Sequence, residues 1–182
     1  MLIIVINVVF IKKGLIKLIL EGNPKDLIVC IEPAGTLLGL HNIYGQNLFP
    51  YTAVSFEDTE ACLIDLNTFK EAVEKDVFLA NKIIQFLTDI SQRSYDRLFC
   101  VAQKHIHGRF ADIMLCLMER IYKSTEFEIN LSRKDLADIT VMSQESLSRV
   151  IRDFKEDGII NISGKTIKIL NYDKLIEISK FG

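Results

Sequence analysis

Residues 132–170 constrain this chain more than any other stretch, because their start, stop and turn signals allow one order of elements. Ser132-Arg133-Lys134-Asp135 places a hydroxyl three residues before a carboxylate. That spacing lets Ser132 cap a helix, with Asp135 as a shorter stand-in for the Glu or Gln that reaches back to the cap. A short amphipathic segment follows (Leu136, Ala137, Ile139), then a break at Thr140-Val141-Met142. Ser143 caps a second helix over 144–157, in which Leu147, Val150, Ile151 and Phe154 fall on one face. Gly158 ends that helix where a left-handed residue is least costly. Two β-rich runs, 159–162 and 166–170, then flank a tight turn at Ser163-Gly164-Lys165.

Helix, short turn, helix and hairpin in that order are the winged helix-turn-helix pattern. The polar face of its second helix holds Gln144, Glu145, Ser148 and Arg149 within two turns, opposite Leu147 and Val150. A helix that enters the major groove needs such a cluster at its amino end. A guanidinium bonds guanine O6 and N7 in bidentate fashion, and a carboxylate accepts from cytosine N4. Arg149 is therefore the candidate guanine reader and Glu145 the cytosine reader, with Ser148 and Gln144 adding contacts. Arg133, Lys134, Ser143, Lys165 and Lys168 are candidates for the DNA backbone, where contacts position without specifying. The alternative is a ligand-binding or protein-interaction module whose helix-turn-helix does not read DNA sequence.

The run resembles the carboxy-terminal domain of the Crp/Fnr family of bacterial transcription regulators. Ser143-Gln144-Glu145-Ser146-Leu147-Ser148-Arg149 and Ile162-Ser163-Gly164-Lys165-Thr166-Ile167 carry the resemblance. Within it, Glu145 and Arg149 match the shared base-contacting positions. Glu145, Ser148 and Arg149 together look like the Fnr branch, which implies a palindrome with TTGA-like half-sites. Val141 departs from the pattern, standing where many members have a turn glycine. A β-branched residue tolerates positive φ poorly, so the expectation is a reshaped turn or a Val141 at negative φ.

Composition fits a regulator without demanding one. The net charge is −2, and 49% of the 182 residues are hydrophobic. Affinity for phosphates comes from local Lys and Arg rather than from the total charge. The apolar opening over 1–10 lacks the basic lead and cleavage site of an export signal. Lys12 and Lys13 also stop it short of the roughly 18 residues a membrane span needs. It reads as a buried strand continuing past Gly14 into 15–20, in a cytoplasmic protein with no membrane partner.

From 15 to 66 the chain reads as short strands: 15–20 and 27–31 about a hairpin connection, then 51–56 paired with 62–66. Asn67 is expected to cap a short helix. Gly14-Leu15-Ile16-Lys17-Leu18 and Glu32-Pro33-Ala34-Gly35 resemble the second part of the family's sensory β-roll, which implies that the usual opening strands are missing. Cyclic-nucleotide-binding members hold an acidic residue for the ribose and an arginine for the phosphate. Here no Lys, Arg, Asp or Glu occurs between Pro33 and Phe56. A buried phosphodiester needs a compensating cation or dense donors, so cyclic AMP is not the expected effector.

No cofactor or metal is expected either. Cys30, Cys62, Cys100 and Cys116 lack ligand-like spacing, and they read as small buried apolar groups. His105 and His107 would face apart on a helix, and His41 stands alone. No grouping suggests catalysis, so the chain is not expected to be an enzyme.

Residues 76–103 contain neither Gly nor Pro, and Ile83, Leu87, Ile90, Ser94, Arg97 and Val101 recur at alternating four and three. That is a seam of the coiled-coil kind. The resemblance implies a parallel homodimer formed through Ile83, Leu87, Ile90, Ser94 and Val101. A hinge is expected at 103–105, followed by a helix over 106–122 with Phe110, Met114 and Leu117 inward. The expected fold is α+β: a partial double-stranded β-helix of the cyclic-nucleotide-binding type (1–75), a dimerisation helix and hinge (76–104), and a winged helix-turn-helix (105–182). Its partners would be double-stranded DNA and a second copy. RNA polymerase is compatible with the resemblance, although no residue run marks such a contact.

Overall fold

A computed structural model describes residues 6–23, 25–45 and 49–182. Two compact units emerge, one formed by Met1–Glu21 with Ile31–Asp96 and one by Gly22–Cys30 with Arg97–Gly182. The first five residues of the expected opening strand lie outside the described residues.

The first unit is a pair of small antiparallel sheets. Its strands are β1 (Asn7–Lys13), β2 (Leu15–Leu20), β3 (Leu27–Pro33), β4 (Leu37–Leu38), β5 (Thr52–Ser55) and β6 (Glu60–Asp65). They order as β4-β1-β6 and β3-β2-β5. The sequence leads one to expect a strand continuing past Gly14, but β1 and β2 belong to different sheets. Gly14 makes the transfer at φ 90, and a Cβ there would lie 2.6 Å from the Asp58 carbonyl oxygen. The expected pairing of 51–56 with 62–66 is likewise replaced. Leu18 of β2 faces Ala53 of β5, and Phe10 of β1 faces Cys62 of β6.

Helix α1 (Leu66–Lys75) begins earlier than a cap at Asn67 would allow. Asp65 is its cap, accepting from the Thr68 amide and hydroxyl, each at 2.9 Å. Those bonds favour the charged carboxylate and hold Asp65 below its ordinary range. Helix α2 (Val77–Gln103) follows as one uninterrupted element. Val8, Leu40, Ile43, Leu66, Phe69 and Ile83 form one buried cluster, with Leu79 and Phe86 packed against it.

The second unit contains α3 (Ile106–Cys116), which opens into a π-helical turn over Leu117–Ile121, so the helix expected to Tyr122 widens in its last turn. Strand β7 (Glu126–Glu128), α4 (Arg133–Ile139), α5 (Gln144–Glu156), β8 (Ile160–Ser163), β9 (Thr166–Ile169) and α6 (Tyr172–Phe181) complete it. The sheet runs β7-β9-β8, all antiparallel, so the wing has a third strand. Phe110, Met114, Leu117, Leu147, Val150, Phe154, Ile167 and Leu175 are fully buried behind it. Phe110 meets Phe154 edge to face at 5.0 Å. Helix α6 packs along α3. Among the described residues no helix is long and apolar enough to cross a membrane.

Candidate nucleic-acid interface

Both caps of the helix-turn-helix form as the residues dictate. Ser132 Oγ accepts from the Asp135 amide at 3.0 Å, while the Ser132 amide donates to Asp135 Oδ2 at 3.1 Å. Ser143 Oγ accepts from the Ser146 amide at 3.0 Å, which starts α5. Each such cap stabilises a helix by about 1 kcal/mol. The buried line Leu147, Val150, Ile151 and Phe154 then fixes the roll of α5 about its own axis.

That roll leaves Gln144, Glu145, Ser148 and Arg149 all exposed along the outer face. Among the described residues, neither Glu145 nor Arg149 makes an ion pair, so carboxylate and guanidinium present unspent acceptors and donors. Ser148 donates its hydroxyl proton to the Gln144 carbonyl at 2.8 Å, leaving its oxygen lone pairs as acceptors. On the inner side His107 Nε2 lies 3.0 Å from Asp153 Oδ2. The His107 ring also stacks over Phe154 at 6.0 Å and 10°. This tie between α3 and α5 was absent from the sequence reading, because nothing in either segment alone signals a partner 46 residues away.

The turn between α4 and α5 overturns an expectation. Val141 adopts φ 52, in the left-handed region, rather than a negative φ or a turn of another shape. The Val141 amide donates to Asp138 O at 3.2 Å and the Met142 amide to Ala137 O at 3.0 Å. This pair of bonds is the Schellman closure, with valine where glycine usually sits. A side chain at such φ costs about 1–2 kcal/mol. Thr140 is fully buried and donates to Leu136 O at 2.6 Å, closing the end of α4 from inside.

The candidate backbone contacts differ in their freedom. Arg133 and Lys134 are exposed in the first turn of α4, and Ser143 is exposed at the start of α5. Lys165 Nζ donates to Asn130 Oδ1 at 3.0 Å, and Lys168 Nζ pairs with Glu126 Oε2 at 2.8 Å across β7 and β9. The Lys168 charge is therefore already partly neutralised.

Along α2, the residues of the expected seam differ in exposure. Ile83 is only 7% exposed and belongs to the chain's own core. Ile90 and Val101 are half-buried, whereas Leu87 and Ser94 are exposed. Ile84, Tyr95, Leu98 and Phe99 are each more than half exposed instead. The apolar surface left over thus centres one position along from the expected stripe.

Between Pro33 and Phe56 the described side chains cluster by aromatic contact. The His41 ring meets Tyr51 at 5.7 Å and Phe49 at 6.3 Å, and Tyr51 Oη accepts from the Gly39 amide at 3.3 Å. The cysteines are not uniformly buried as expected: Cys100 is, but Cys62 is exposed on β6. Burial first, then a hydrogen bond to Asp112, pushes the Cys100 thiol up to about 11.

Comparison with known proteins gives these features a setting. Residues 108–178 match the family described as the Crp-like helix-turn-helix domain. The chain is 24% identical over 158 residues to the fumarate and nitrate reduction regulatory protein of Vibrio cholerae, covering 85% of this chain and 63% of that protein. It is 25% identical to the transcriptional regulatory protein btr of Bordetella pertussis, over 91% of this chain and 70% of the relative. FixK2 from Bradyrhizobium japonicum shares the fold with a TM-score of 0.86 at 20% identity, over 95% of this chain and 87% of that one. A CRP-family transcriptional regulator of Thermus thermophilus, TTHB099, shares it with a TM-score of 0.77 at 16% identity, over 99% and 93%. Residues 108–178 are thus a Crp-like helix-turn-helix domain, and the β-sheets, long helix and wing share the fold of FixK2 and TTHB099.

Proposed function

We propose that this chain binds double-stranded DNA as a homodimer and reads a palindrome with TTGA-like half-sites, under an effector other than cyclic AMP. The observation that carries the reading is the outer face of α5, where Glu145 and Arg149 stand exposed and free of ion pairs among the described residues above a rigidly packed inner face. Arg149 reads guanine O6 and N7, Glu145 accepts from cytosine N4, Ser148 and Gln144 add contacts beside them, and Arg133, Lys134, Ser143 and Lys165 hold phosphates. Lys168 contributes less, because Glu126 already pairs with it. The exposed apolar face of α2 supports the homodimer. Two α5 helices one turn of duplex apart, about 34 Å, then match the symmetry of a palindrome. The lack of any charged residue between Pro33 and Phe56, with His41, Phe49 and Tyr51 in mutual contact there, supports an effector without a phosphodiester.

Selection of bound duplexes from a random pool tests the reading directly. The expected product is an inverted repeat, and Arg149→Ala should then cost about 1–3 kcal/mol and relax discrimination at one base pair of each half-site. An equal loss on every sequence would assign Arg149 to phosphate, and binding without sequence preference would favour a protein-interaction module instead.

A further inference from the structure

Two arginines converge on the turn between α4 and α5. Arg109, from α3, donates Nη1 to the Val141 carbonyl at 2.9 Å. Arg97, from α2, donates Nη2 to the carbonyl of Ile139, the last residue of α4. The same Arg97 nitrogen reaches Ile28 O at 3.3 Å, and Lys25 pairs with Asp138 at 2.6 Å, so the Gly22–Cys30 segment is fastened to the same end of α4. Burial lowers the Arg97 pKa, and neighbouring Arg109 lowers it further. Arg97 Nη1 and Arg109 Nε are buried without a hydrogen-bond partner among the described residues. Placing two like charges together with spare donors is unfavourable by itself, so the carbonyl bonds at the turn must offset it.

Those two carbonyls bracket the left-handed valine. Val141 disfavours the conformation it holds, and a disfavoured backbone persists where its surroundings over-determine it. We propose that Arg97 and Arg109 are positioning residues for DNA reading, holding the Val141 turn left-handed and so fixing the direction in which α5 leaves α4. Neither touches DNA. Their effect reaches the bases through the angle of α5, on which Glu145 and Arg149 depend. The proposal rests on the DNA reading above, but the mechanical part of it concerns the turn alone.

The test uses the full chain with Arg97→Met, Arg109→Met and Val141→Gly, singly and combined, measured on the selected duplex well below the melting temperature. Each Arg→Met variant should bind about tenfold more weakly at unchanged salt slope. Adding Val141→Gly should return most of that affinity, because glycine holds the turn without help. A loss of the same size with and without the Val141→Gly substitution would overturn the proposal. So would a salt slope reduced by about one charge, which would make the arginine a phosphate contact. Thermal melts separate the two layers. Val141→Gly should raise the melting temperature more in the Arg→Met backgrounds than in the parent chain, whether or not DNA binds. Additive melting shifts would overturn the clamp itself, whereas non-additive shifts in a protein blind to DNA sequence would leave the clamp standing and remove the DNA reading alone.

Discussion

Val141 and Cys100 show at the scale of single residues how tertiary structure overrides local preference. From sequence, a β-branched residue argues against positive φ, yet two helices and two guanidinium groups impose φ 52 on it. In the otherwise unaltered chain, Val141→Gly should therefore gain stability, by about 1 kcal/mol once the greater freedom of unfolded glycine is subtracted. For a chain of this length that is a rise of about 2–4 °C in melting temperature, measurable by calorimetry, and a fall would contradict the strain. Cys100 makes a prediction in pH. Burial pushes its folded thiol up to about 11 from an ordinary 9.0. A raised folded value means its contribution is complete below pH 9 and is lost as pH rises through about 11. Denaturant melts at about pH 8 and about pH 10.5 should show a larger alkaline loss in the parent chain than in Cys100→Ala. At neutral pH the buried thiol stays protonated, so native alkylation should label exposed Cys62 first.

At the scale of elements, legibility follows how local each cause is. The boundaries of α4 and α5 were readable because a serine hydroxyl three residues before an amide is a cause contained within one turn. Gly158, at φ 65, likewise ends α5 by its own conformational freedom. Strand β7 was not readable: three residues become a strand only because β9 offers Ile167 and its neighbours an open edge. Helix α6 was missed although its cap was present, with Asn171 Oδ1 accepting from the Lys174 amide at 3.0 Å. The cap of α1 was misplaced by two residues because Asp65 also ends β6, and one residue serving two elements blurs both signals. In the candidate interface, the exposure of Gln144, Glu145, Ser148 and Arg149 followed from the period of α5. The pairing of Lys168 with Glu126 did not, since it depends on cross-strand register.

At the scale of the whole molecule, the proposed homodimer turns on which face of α2 would meet a second copy. Apolar residues stand side by side along it (Ile83 with Ile84, Phe86 with Leu87, Leu98 with Phe99). A heptad count therefore detects the period but cannot choose the phase. The core of the first unit takes Ile83, with Leu79 and Phe86 beside it. That leaves Ile84, Tyr95 and Leu98 in water, an exposed apolar stripe of the sort that marks an interface. If this face joins two copies, Leu98→Glu should leave the fold intact, since a substitution at an exposed site changes stability by roughly 0.5 kcal/mol or less. Sedimentation equilibrium should nonetheless shift it toward monomer, because each copy would bring a carboxylate to an apolar seam. Affinity for the full inverted repeat should then collapse toward that for a single half-site, the second α5 no longer being tethered to the first. Ile83→Ala should do the reverse, losing about 2–4 kcal/mol of stability to a core cavity while remaining dimeric below its lowered melting temperature. A Leu98→Glu protein that sediments as a dimer and binds the repeat as the parent chain does would place the subunit contact on some other surface.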